Sequence, residues 1–377
     1  MKVQVHQCPQ EIAGLQAPWR ALEARALEPN AYLSARFVLP ALTYLPAAGP
    51  IWILTVWDHP ATEACGPVLC GLGVFQSAQP QLRFPFDHTA AYGSVHSFLG
   101  GLLLDRQRAH PALHAMLDGL TRRTAGLRLS HFNAQGPTAA VLRSVVTERG
   151  ASWHEEAPLA RACLVPGPDH AKRWRAHVSP ARLRKLERQW RKLGEAGHVR
   201  WRYLRGHEAS DAALERFLAL EHAGWKGQEG TSLRSDLRQE TFFLRMAQSF
   251  REDGELFLTE LLFDGEVIAS SCNLRSGADG FAFKVAFDPR FSKFGPGLLN
   301  EFGFLKALEE GVDEFRSIDS GAAPGSFIEE LWPERIPLRV VYIALRPFAR
   351  TAAMAAECLL RLRHRLMGRS GMRQAAA

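Results

Sequence analysis

A chain of 377 residues exceeds the usual span of one hydrophobic core and calls for two domains of ordinary size. Its composition, 46% hydrophobic and 23% charged with 10% aromatic, excludes a disordered chain, and no run of roughly 18 uncharged apolar residues is present to cross a membrane. With 46 Lys and Arg against 39 Asp and Glu, the net charge of +7 admits coenzyme phosphates, nucleic acid or an acidic membrane face as partners without choosing among them.

The six cysteines, Cys8, Cys65, Cys70, Cys163, Cys272 and Cys358, are scattered, with neither zinc-finger pairs nor a disulfide framework. They read as reduced thiols of a cytoplasmic protein. The N-terminal stretch lacks the apolar core of a signal peptide.

In chain order, residues 51–57 (IWILTVW) and 67–76 predict a β-hairpin. An apolar stretch at 96–105 follows, then a helix over 111–121 with Leu113, Met116, Leu117 and Leu120 at helical spacing. A strand at 127–132, a helix at 138–149 and a closing strand at 160–165 complete an α/β first domain, 1–165.

Residues 179–194 (SPARLRKLERQWRKLG) predict a basic amphipathic helix, with Ser179 as N-cap, Pro180 in the first turn and Gly194 as the stop. Its basic face either is solvated or holds an anionic substrate. Helices over 211–222 and 236–251 come next. Strands at 255–263 and 266–274 flank the turn Asp264 and Gly265, and a third strand spans 281–287. After a loop, a helix from Gly297 to about residue 310 leads to a strand at 314–319. This order, three antiparallel strands, a loop, a helix and a strand, predicts a mixed sheet in a second domain, 166–345.

The loop-to-helix junction in residues 291–301 (FSKFGPGLLNE) is the chemically suggestive point. Gly295 and Gly297 bracket the helix start, where free backbone N–H groups and the helix dipole suit a pyrophosphate. Lys284 stands alone among apolar residues in FAFKVAF, where a charge is costly unless paired, and the expectation is that it alternates to the face opposite its neighbours. Asp319, at a strand end, is the expected partner of Lys284 or the general base. His222 could serve as a base near neutrality, with no metal-ligand spacing beside it. Read by itself, Trp225 belongs in a core.

The combination of WKG (225–227), DGEVIA (264–269), FKVAFDPRFSKFGPG (283–297), SIDSG (317–321) and LWPER (331–335) resembles GNAT-like acyltransferases grouped with the CelD-like proteins of cellulose biosynthesis, relatives of the Fem-type peptidyltransferases. The resemblance covers roughly 181–343 well. It implies tandem GNAT-like lobes, the first degraded and the second holding the donor, with an acyl-CoA as co-substrate and no metal. It also implies direct attack of the acceptor on the thioester, carbonyl polarisation by backbone N–H groups near Val285 and Ala286, and an acceptor pocket bordered by Glu221, His222, Trp225 and Lys226. The family's usual Gln or Arg before the first loop glycine is Ser292 here, with Lys293 as its substitute.

Residues 346–369 predict a basic amphipathic helix with Phe348, Ala352, Ala355, Leu359, Leu362 and Leu366 on one face and Arg361, Arg363, Arg365 and Arg369 near its end, docked on its own domain or laid on a membrane surface, before a disordered end from Ser370. The functional expectation is an acyltransferase acting on an amine or hydroxyl of a sugar, of a lipid such as a long-chain base, or of a cell-envelope precursor. The alternatives are an aminoacyl-tRNA-dependent transferase, the one case with a nucleic-acid partner, and a non-catalytic partner in polysaccharide synthesis or export.

Overall fold

A computed structural model describes residues 1–47, 49–59 and 66–374, so Cys65 and the last three alanines lie outside the described residues. The other five cysteines are free thiols. The chain divides into two units: Met1–Glu28, Ala47–Pro158 and Leu338–Ala377 form one, Pro29–Pro46 and Leu159–Pro337 the other. A single cut at 165 therefore misses an exchange of segments. The strand Leu159–Leu164 hydrogen-bonds to Ser317–Asp319 and belongs to the second unit, as does the early helix Ala35–Tyr44.

In the first unit the strands Lys2–His6, Ile51–Asp58 and Val68–Ala78 pair antiparallel, and His88–Ala91 runs parallel to Gly126–Asn133. The helices Ala109–Thr121 and Pro137–Glu148 bury Leu113, Met116, Leu117 and Leu120 against Leu142, Val145 and Val146 in one apolar core. That burial is what their 3.6-residue periodicity foretold. The apolar stretch at 96–105 yields only the short strand Leu103–Leu104.

The C-terminal helix Pro347–Gln374 buries Ala349, Ala353 and Ala356, with Ala349 and Ala353 packed near Phe84 and Tyr342, while Phe348, Met354 and Leu359 are exposed. Small residues, which permit close backbone approach, are buried against the protein, whereas of the larger residues Phe348 meets the Phe86 ring edge-on at 6.0 Å and stays half exposed, and Leu359 faces solvent. The helix also continues beyond residue 370, where the sequence suggested disorder. The side chains of Leu362, Leu366, Arg361, Arg363, Arg365 and Arg369 lie outside the described residues.

The second unit is a mixed sheet in the order Val199–Arg205, Leu256–Phe263, Glu266–Ser276, Asp279–Phe287, Ser317–Asp319, Leu159–Leu164. Asp264 and Gly265, both at positive φ (48° and 85°), make the tight hairpin turn expected of an Asp-Gly pair. Val199–Arg205 was not foreseen, because its charged residues hide the alternation. The helix Pro296–Glu309 packs with Pro180–Ala196 over one face of the sheet, and Asp211–Ala223 and Leu237–Glu252 pack on the other. Pro180–Ala196 starts as read, the Ser179 hydroxyl accepting from the Arg182 N–H at 3.2 Å, but ends at Gly197. Arg184, Lys185, Arg188, Arg191 and Lys192 all face solvent.

Candidate active site

Two features of the strand Asp279–Phe287 create the site. First, only Asp279–Phe281 pairs with Ser317–Asp319, so residues 282–287 run on with that edge free of the neighbouring strand. Second, the register against Glu266–Ser276 shifts so that Cys272 faces Lys284 and Asn273 faces Ala282. Phe283 is the extra residue of a β-bulge, which turns Phe283 and Lys284 toward the same helices. Phe283 stacks on Phe243, and the Lys284 ammonium lies 5.6 Å from the Phe283 ring centre. The simple alternation expected for Lys284 fails here because a bulge resets the period of two.

The Asp288 N–H donates to the Ile268 carbonyl at 2.9 Å. By antiparallel alternation the Ala286 N–H is spent in the same ladder, whereas those of Val285 and Phe287 face the open edge. Of the two N–H groups expected to polarise a carbonyl, that of Val285 faces the open edge and that of Ala286 does not.

A cavity of about 450 Å³ wraps this free strand end. On one side it touches Glu221, Trp225 and Lys226; on the other it reaches Gly295, Pro296, Gly297 and Leu298; Val285 and Ala286 lie between. Trp225 is 55% exposed, so it walls the cavity and is not a core residue. Gly295, the N-cap of the helix Pro296–Glu309, has φ +65°, a left-handed conformation that favours glycine. Pro296 has no N–H to lose, and the Leu299 N–H already bonds the Gly295 carbonyl at 3.0 Å. The Gly297 and Leu298 N–H groups are thus the helix's orphan donors, and both residues line the cavity.

Glu221 is the buried charge of the site, 3% exposed. One carboxylate oxygen accepts from Lys226 Nζ at 3.0 Å and lies 4.0 Å from Lys284 Nζ; the other accepts from the Leu233 N–H at 2.9 Å. The shorter contact is a hydrogen bond, the longer an electrostatic one. Burial pushes the Lys284 ammonium down to about 8, with the Glu221 carboxylate opposing that fall. Folded Lys284 therefore gives up its proton more readily than unfolded Lys284, and stability should rise with pH between about 8 and the ordinary lysine value of ~10.4. Lys284→Met is expected to flatten that rise, measured as denaturation midpoints across the window; an unaltered slope would assign it to other groups.

Four of the foreseen residues stand apart. Asp319 is buried against Arg161 at 3.3 Å and also accepts from the Gly321 N–H at 2.9 Å. The strand Leu159–Leu164 brings Arg161 into the place where Lys284 was expected, so Lys284 finds Glu221 instead, and Asp319 does not line the cavity. His222 bonds the Ser232 hydroxyl at 2.9 Å, and Lys293 is exposed with its ammonium 4.9 Å from the Phe294 ring centre. Neither is among the lining residues, nor is Lys284, which stands behind Glu221.

The glycine of WKG has a packing cause. A Cβ on Gly227 would stand 1.7 Å from the His222 carbonyl oxygen, a backbone atom that cannot swing aside. Gly227→Ala should lower stability by about 1–3 kcal/mol and unseat Lys226 from Glu221. A melting temperature equal to that of the wild type would refute this.

The sequence reading overlooked a polar cluster. Ser271 Oγ donates to Glu301 at 2.9 Å, and Asn300 Nδ2 donates to Thr259 Oγ1 at 2.9 Å and to Ser271 Oγ at 3.2 Å. Burial raises the Glu301 carboxyl to about 7. Ser270, Ser271 and Asn300 line the cavity, and Ser270 Oγ is buried with no hydrogen-bond partner among the described residues. The signal was present: Asn-Glu inside the apolar helix PGLLNEFGFLKALE and Ser-Ser inside a buried strand.

Residues 180–335 match the family model described as an acetyltransferase (GNAT) domain. The matched stretch lies within the second unit, which has the GNAT fold of an acyltransferase domain. No curated protein matches the sequence. Among solved structures, the C-terminal domain of a putative lysylphosphatidylglycerol synthetase from Agrobacterium fabrum is similar at 11% identity and a TM-score of 0.53, over 93% of this chain and 95% of that one. A structure titled FemX is similar at 12% identity and a TM-score of 0.54, over 90% and 97%. A protein of unknown function from Bacteroides thetaiotaomicron is similar at 12% identity and a TM-score of 0.52, over 91% and 100%. At these identities the likeness speaks for the fold.

Proposed function

We propose that this acyltransferase moves an acyl group from acyl-CoA to an amine or hydroxyl of a lipid, sugar or cell-envelope precursor. The observation that carries the reading is the continuity of one cavity from the orphan N–H groups of Gly297 and Leu298, past the free edge at Val285, to the buried carboxylate of Glu221. Coenzyme pyrophosphate would sit at the helix start. The thioester carbonyl would take the Val285 N–H as its oxyanion donor. The acceptor would enter beside Trp225 and Phe327 and surrender its proton to Glu221 as it attacks. The carbon–sulfur bond then breaks, and the thiolate leaves. Lys226 and Lys284 hold Glu221 in place.

The cavity wall, with Leu220, Trp225, Val285, Phe287, Leu298 and Phe327, suits an apolar acyl chain or a lipid acceptor. Peripheral contact with a membrane fits the exposed Phe348, Met354 and Leu359, and no helix among the described residues is long and apolar enough to cross one. A second reading, an aminoacyl-tRNA donor, draws on the solvent-facing cations of Pro180–Ala196.

Titration calorimetry with coenzyme A and with tRNA separates the two. Under the first reading coenzyme A binds and thiol is released from acyl-CoA on adding an amine. Under the second only tRNA binds, with affinity falling steeply with salt.

A further inference from the structure

The first unit holds a cluster that acyl transfer does not use. His110 and His114 lie one turn apart on Ala109–Thr121, and both aim Nε2 at the carboxylate of Glu148, the last residue of Pro137–Glu148. His110 Nε2 is 2.9 Å from Oε1 and His114 Nε2 is 2.8 Å from Oε2. One ligand atom from each of the three falls within 4.8 Å of the others.

We propose that His110, His114 and Glu148 form a binding site for a divalent transition cation of the zinc, cobalt or nickel kind, with its remaining positions open to water. Two imidazoles and one carboxylate are a donor set suited to such ions. Metal bonds of ~2.0–2.2 Å to nitrogen and oxygen require ligand atoms roughly 3.3 Å apart. Each present N–O contact need open by only about half an ångström, within side-chain reach. The Ser144 hydroxyl donates to Glu148 Oε1 at 2.7 Å, the kind of outer hydrogen bond that orients a ligating carboxylate.

Helix electrostatics point the same way. A carboxylate in the last turn of a helix faces the negative end of the dipole, which a bound cation would offset. The ligands also sit on helices whose inner faces share one core, through Leu113 and Leu117 on one and Leu142 and Val145 on the other. The three side chains are 49%, 33% and 43% exposed, so an ion reaches them from solvent. The site would pin the end of one helix to the start of the other.

Calorimetric titration of the full chain with zinc chloride tests this, alongside His110→Ala, His114→Ala and Glu148→Gln. The wild type should bind one zinc that each variant binds at least about 10-fold more weakly, and cobalt should give visible absorption that the variants lose. Circular dichroism on each variant confirms folding, and His110→Asn serves if an alanine variant unfolds. Failure of the wild type to bind zinc, or equal affinity and stoichiometry in the variants, overturns the proposal.

Discussion

Glu221→Gln is expected to cut turnover by about 100- to 10,000-fold, the span usual for loss of a positioned general base, while donor affinity stays close to that of the wild type. The substitution keeps shape, and its one remaining oxygen can accept from the Leu233 N–H or from Lys226 but not from both, so a melting curve accompanies the kinetics to show that the variant is folded. It removes the negative charge that would take the acceptor's proton. Steady-state kinetics with thiol detection, paired with calorimetry on coenzyme A, read the two quantities separately. A wild-type rate would remove Glu221 from the chemistry and leave it as an anchor for two lysines.

Gly297→Val should weaken the donor by about 100-fold or more, since two hydrogen bonds to a charged group, at ~1.5–3 kcal/mol each, depend on phosphate reaching the helix end. A Cβ at Gly297 would meet only Phe287 Cδ1, at 3.7 Å, so the added branches would point into space that the ligand needs and the helix can still form. Gly295 is a poorer test, because its left-handed backbone would confound strain with loss of binding. Undiminished affinity for coenzyme A in a folded Gly297→Val protein would move the donor site elsewhere.

Local signals carried much of the second unit. Asp-Gly fixed a hairpin turn, Ser179 and Pro180 marked a helix start, and Gly-Pro-Gly marked the junction that the cavity touches. Glu221, Trp225, Lys226, Val285 and Ala286, which only the family resemblance implied, line one cavity with Gly295 and Gly297, which turn chemistry marked. Such features depend on neighbours in sequence, where turn chemistry, caps and periodicity act.

Partner choice among charges was another matter. Lys284 meets Glu221 because a bulge turns it toward the helix Asp211–Ala223, and Asp319 meets Arg161 because the strand Leu159–Leu164, far away in sequence, pairs beside it in the same unit. The buried Ser271, Asn300 and Glu301 network likewise forms only when strand and helix pack. Sequence by itself determined which residues carry charge, turn or cap. The tertiary structure alone decided which charges meet, because ion pairs and buried hydrogen bonds depend on distances of a few ångströms between segments tens or hundreds of residues apart.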